Sequence, residues 1–138
     1  MNIAYCGNFL QSHCTEVYIA ATLEDLGHTV RRIQEDPSNA PLLPRVADCD
    51  MFLFTRTWNN LVTLEFLDEL KGLNIPSVSY HLDLYIGLQR QDGLDNDPFW
   101  KTDHVFSPDG DPKSAEIFKN KGINHHWMKP GVYKPECY

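Results

Sequence analysis

An α/β fold built on a parallel sheet is predicted by three features of this 138-residue chain. Short apolar runs, such as the one ending at Cys6 and Met51-Phe52-Leu53-Phe54, lack polar alternation, as strands buried on both faces do. Between them, apolar residues recur at helical spacing. Strands alternating with helices in this way imply right-handed crossovers between parallel strands.

The elements follow in order. Asn2 to Cys6, closed by Gly7, is the first strand. Ile19, Ala20, Leu23 and Leu26 mark the first helix, with Ser12 or Thr15 to cap its start and Gly27 to end it. His28 to Ile33 is the second strand. Asp36 to Pro44 holds three prolines and reads as a loop with room for a short helical turn. Met51 to Phe54 is a central strand, and Leu64, Leu67 and Leu70 form the stripe of a second helix that ends at Gly72. Ile75 to Tyr80 is the fourth strand, with Pro76 near its start, where a missing donor is tolerated. His81 to Lys101 is polar and rich in Asp and Gly, a length that suits a functional or mobile loop. His104 to Ser107 is the fifth strand. Asp111-Pro112 opens a helix with Asp at the N-cap and Pro at the first turn; Lys119 and Lys121 place cations at its negative end before Gly122. His126-Trp127-Met128 is the sixth strand. The expected architecture is a Rossmann-like three-layer sandwich, strand order about 3-2-1-4-5-6, with residues 1–132 as one domain.

Composition narrows the function classes. Apolar residues make up 42% of the chain and mean hydropathy is -0.40, as in a globular domain with a real core. The formal charge of -7, with no basic patch, excludes gripping a nucleic acid by counterion release from this domain alone. No apolar run approaches the roughly 20 residues of a membrane helix, and Met1-Asn2-Ile3 enters a strand with no basic leader, so a cytoplasmic location without a membrane partner is expected. Cys6, Cys14, Cys49 and Cys137 are scattered without a CxxC pair and read as reduced thiols rather than a zinc site.

In such sheets ligands bind beyond the carboxyl ends of the strands, at the point where strand order reverses. The expected order places that point between strands one and four. Asn8 and His13 arrive there from the first loop, Arg56 and Trp58 from the third, His81, Asp83 and Tyr85 from the fourth, and Asp109 from the fifth. His81-Leu82-Asp83 carries the sharpest chemistry: a carboxylate can take the proton of an attacking hydroxyl while a histidine orients the acceptor or tunes the carboxylate. The same two residues also fit a strand cap and a turn cap. His13, near a helix start, suits a developing negative charge, or simply the surface. Arg56 can clamp a phosphate or form an ion pair within the fold. Trp58 and Tyr85 can stack on a sugar or base, or pack. Asn8 shapes the turn after Gly7, with ligand contact secondary.

Other chemistries are disfavoured. Gly7-Asn8-Phe9 is not GxGxxG, so hydride transfer on a dinucleotide lacks its fingerprint. A phosphorelay receiver needs acidic residues after strand one and an Asp after strand three, where this chain has Gly7-Asn8 and Thr55-Arg56. His125-His126 looks like a metal pair, but neighbours on a strand face opposite sides, and no metal is expected.

The opening strand, its loop and helix start, and Leu26-Gly27-His28-Thr29-Val30 resemble the first βαβ unit of glycosyltransferases with two facing Rossmann-like domains, the GT-B architecture. Asp50 to Phe54 is similar to the third strand of that group. Pro130-Gly131-Val132, followed by Pro135, resembles its inter-domain linker, so 133–138 would begin a linker or tail. Tyr80 to Pro108 looks most like the spore-coat and phage-encoded members. The resemblance implies an acceptor-binding half, inverting or retaining, that supplies the base. A carboxy-terminal domain or partner chain would bind the nucleotide-sugar donor as co-substrate, with no other cofactor. It makes Asp83 the favoured base, with His81 or His13 as helper, and has Arg56 and Trp58 bind acceptor or donor phosphate. The double-glycine loop usual before the first helix is replaced here by Gln11-Ser12-His13-Cys14. The rival expectation is a stand-alone module of Rossmann or flavodoxin type that binds a nucleotide or small ligand without catalysis.

Overall fold

The computed structural model describes residues 1–55, 61–86, 93–129 and 131. Arg56, Trp58 and Cys137, and most of the linker-like ending, lie outside them. Six strands form one all-parallel sheet: β1 (Asn2–Gly7), β2 (Thr29–Gln34), β3 (Met51–Phe54), β4 (Ser77–Tyr80), β5 (His104–Ser107) and β6 (His125–Trp127). Helices α1 (Thr15–Asp25), α2 (Leu43–Val46), α3 (Leu64–Gly72) and α4 (Pro112–Asn120) connect them. The α/β class and Rossmann-like layering are those the sequence predicts.

The strand order is 2-1-3-4-5-6, not 3-2-1-4-5-6. β3 lies beside β1 because its side chains need cover on both faces: Phe52 and Phe54 join the larger core and Leu53 the smaller. An edge position would expose one of those sets. β2, which carries Arg31 and Arg32 outward, takes the edge instead. Arg31 makes a bidentate pair with Asp48 at 2.6 and 2.9 Å, and Arg32 meets Glu24 at 2.8 Å. Both pairs are solvated, so each adds little stability.

Handedness then decides which face each helix covers. From β2 onward the chain advances in one direction, so right-handed crossovers put its connections on one face. Residues of α2, α3, α4 and the 3₁₀ turn Pro98–Lys101 (Val46, Phe66, Leu67, Leu70, Phe99, Trp100, Phe118) therefore share one large core with Ala4, Cys6 and Val105. Only the β1-to-β2 step runs the other way. It leaves α1 on the second face, where Ala20, Ile19 and Leu23 cover Ile3, Tyr5 and Leu53.

Local signals set the helix ends. Asp111 caps α4 by accepting from the amides of Lys113 and Ser114, both at 3.0 Å, and Thr63 caps α3 through the Phe66 amide at 3.2 Å. Gly27 and Gly122 follow α1 and α4 with φ of +89° and +68°, the left-handed conformation glycine adopts without a Cβ penalty. α1 departs from expectation. Its N-cap is Cys14, with no side-chain cap bond, so neither Ser12 nor Thr15 fills that role.

Candidate functional site

With β3 beside β1, the reversal of strand order falls between these two strands rather than between β1 and β4. The carboxyl ends of β1 and β3 therefore frame the crevice. On the β1 side, Asn8 turns the chain by accepting the Leu10 amide at 3.2 Å, and Gln34 receives the Phe9 amide at 2.7 Å. Asn8 is thus the turn-former it was expected to be. His13 stands exposed just ahead of α1.

Beneath this loop lies a buried polar relay that the sequence does not announce. Thr55 donates to the Glu16 carboxylate at 3.3 Å, so Tyr5 donates its phenol proton to Thr55 at 3.1 Å. Glu16 and Thr55 are 3% and 1% exposed, which places a carboxylate inside the first turn of α1, where the helix dipole favours it. Burial pushes the Tyr5 phenol far up, with Thr55 opposing and the Glu16 charge adding, which holds it in its donor form. Gly7 roofs the relay at close quarters: a Cβ there would lie 2.6 Å from Thr55 Oγ1 and 2.8 Å from Glu16 Cγ. Because these neighbours are buried, Gly7→Ala is expected to cost about 1–3 kcal/mol by overpacking, measured as a fall in urea midpoint. Glu35, at 0% exposure, lies by the carboxyl end of β2, and burial together with its charge raises the Cys6 thiol.

The described part of the β4 loop carries His81, Asp83 and Tyr85. His81 Nδ1 lies 2.5 Å from the Asp83 carbonyl oxygen, and because a carbonyl only accepts, Nδ1 carries a proton. The ring stacks on Trp100 (centroids 5.9 Å, 25°) and meets Tyr85 and Phe99 edge-on at 5.2 and 5.5 Å. Asp83 is exposed and meets His81 through its backbone. The sequence places these two together; the structure makes the histidine the walled, oriented group. Tyr85 packs on Trp100 at 4.6 Å, which favours the packing reading for that ring.

Asp109, expected at the crevice wall, is instead the anchor of this loop. It is 2% exposed, and its carboxylate takes the amides of Tyr85 at 2.9 Å and Ile86 at 2.9 Å. Ser107 donates to the same carboxylate at 3.0 Å, and since its one proton is spent there, His125 Nε2–H donates to Ser107 at 2.8 Å. Ser107 is fully buried, so this chain of Asp, Ser and His braces β5, β6 and the β4 loop.

His125 stacks on Phe118 at 4.1 Å, and desolvation lowers its pKa; the Asp109 charge opposes this and His126 adds to it. An unfolded imidazole titrates near about 6.5. The folded group titrates lower, so below about pH 6.5 the unfolded chain binds more protons and stability falls until the folded ring protonates too. Thermal melts should show a lower Tm at about pH 5.5 than at about pH 7.5. His125→Phe, which keeps the stack, should flatten part of that slope.

Among the described residues no group of three or more His, Cys, Asp or Glu side chains could hold a metal ion. None of their helices is long and apolar enough to cross a membrane. No protein-family model matches the chain, and no curated protein matches it significantly.

Proposed function

We propose that this chain is the acceptor-binding half of a two-domain glycosyltransferase of GT-B type, working in the cytoplasm with a donor-binding domain or partner chain. The observation that carries the reading is His81. It sits at the carboxyl end of β4, its tautomer fixed by the Asp83 carbonyl and its ring held by Trp100, Phe99 and Tyr85. An imidazole held in this way is suited, in its neutral form, to take the proton of an acceptor hydroxyl as that oxygen bonds to the anomeric carbon and the nucleoside diphosphate leaves. Asp83 on the same loop and His13 ahead of α1, both exposed, are the further groups that can bind the acceptor or share the base role.

The test uses the chain together with its donor-binding half. His81→Ala should lower sugar transfer by about 10²–10⁴-fold, the span of general base catalysis, and Asp83→Asn by less. Unchanged turnover in both variants would remove the base assignment. The chain alone should bind no nucleotide sugar.

A second reading is favoured by the strand order. The run 2-1-3-4-5 is the flavodoxin-like arrangement, whose ligands sit at the β1/β3 switch point. A stand-alone ligand-binding module would bind a nucleotide or nucleotide sugar by itself, so a calorimetric titration of the chain separates the two.

A further inference from the structure

The one-way run of crossovers after β3 places no helix of the described chain over β5 and β6 on the second face of the sheet. Three rings stand there in a row. The β5–β6 register pairs Phe106 with His126, and His104, two residues back along β5, falls on the same side. His125 points to the other face, so the metal-like pair in the sequence is replaced by a cross-strand one.

From this juxtaposition we infer that His104 and His126 form a two-imidazole binding site for a first-row divalent ion of borderline hardness, of the Cu²⁺, Ni²⁺ or Zn²⁺ class. His104 Nδ1 and His126 Nε2 lie 3.0 Å apart. Metal–imidazole bonds of about 2.0–2.1 Å place neighbouring ligand nitrogens roughly 2.9–3.4 Å apart, so one ion spans the pair once it displaces the shared proton and the rings turn toward it. The donor atom on His104 is already defined. Asn124 Nδ2 donates to the Asp103 carbonyl at 2.8 Å, which fixes the amide's orientation, and the same nitrogen faces His104 Nδ1 at 3.1 Å. Nδ1 therefore carries a lone pair with its proton on Nε2, and it accepts from His126 Nε2–H until an ion displaces that proton. The His126 ring is held by stacking on Phe106 (centroids 4.8 Å, 25°), which reduces the ordering cost of ligation. His104 is exposed and His126 half-buried, so water can fill the remaining coordination positions. Two nitrogens and no carboxylate select against Mg²⁺ and Ca²⁺ and favour the later transition metals, Cu²⁺ most of all. The site lies away from the carboxyl-edge crevice and does not depend on the glycosyltransferase reading.

The test titrates the full chain with CuCl₂ and ZnCl₂ in a non-chelating buffer, by calorimetry and, for Cu²⁺, by electron paramagnetic resonance. One ion per chain should bind at neutral pH, with a spectrum of nitrogen ligation, and binding should weaken about tenfold or more as protons compete below about pH 6. His104→Gln and His126→Gln should each weaken binding at least about tenfold, with circular dichroism confirming the fold. His28→Ala, which removes the imidazole beside the N-terminal amine, should bind as the parent does. Unaltered binding in both glutamine variants, loss of binding in His28→Ala, or no binding by the parent chain would each overturn the inference.

Discussion

Trp100→Ala is expected to lower stability by about 3–5 kcal/mol, the range for removing a fully packed large aromatic side chain. Trp100 is 2% exposed and joins the loop side of the crevice to the α4 side: it stacks on Phe118 at 5.5 Å and contacts Phe99 at 5.1 Å and Tyr85 at 4.6 Å. It also supplies the flat wall behind His81. The truncation should lower the urea midpoint and the Tm together. Trp127, 57% exposed, supplies the contrast: Trp127→Ala should change stability by about 0.5 kcal/mol or less, as surface substitutions do. Equal losses in the two variants would mean that the ring network is not what consolidates this end of the molecule.

Asp109→Ala should cost about 2–4 kcal/mol. Two buried amides, of Tyr85 and Ile86, would lose their acceptor, at about 1–3 kcal/mol each, softened where water can enter. The effect should also be local. Hydrogen exchange at Tyr85 and Ile86 should quicken more than in the strands, because the carboxylate pins the β4 loop against β5. Asp109→Asn keeps one acceptor oxygen and should fall between. Unchanged protection of those two amides in Asp109→Ala would remove the anchor role. Since His81 lies on the same loop, the proposed function predicts that loosening it also reduces acceptor binding, even though Asp109 itself is buried.

Most elements were legible because their signals are local. Asp111-Pro112 specified the start of α4, and Gly27 and Gly122 specified helix ends through the φ values they alone accept cheaply. The double-sided burial of Met51 to Phe54 was legible too. It already argued against an edge position, and the assumed strand order conflicted with it. The candidate site was legible only in part. His81 and Asp83 stand together through their place after a strand, but the contact between them runs from the histidine ring to the Asp83 backbone, which every residue carries. Asp109 was assigned to ligand contact because an exposed and a buried Asp look alike in sequence. Glu16 carries no sequence signal of an interior role, since a Glu in a first helical turn ordinarily faces solvent.

The sequence by itself determined which segments become strands and helices, where the helices stop, and that the sheet is parallel. Hydrophobic period, capping chemistry and glycine conformation act over a few residues and need no distant partner. Only the tertiary structure decided that β3 pairs with β1, that α1 is the one described helix on the second face, and that Asp109 and Glu16 are buried and His125 half-buried. Those outcomes depend on which distant side chains can be buried together and which buried polar atoms find partners, and that is settled only when the whole sheet packs.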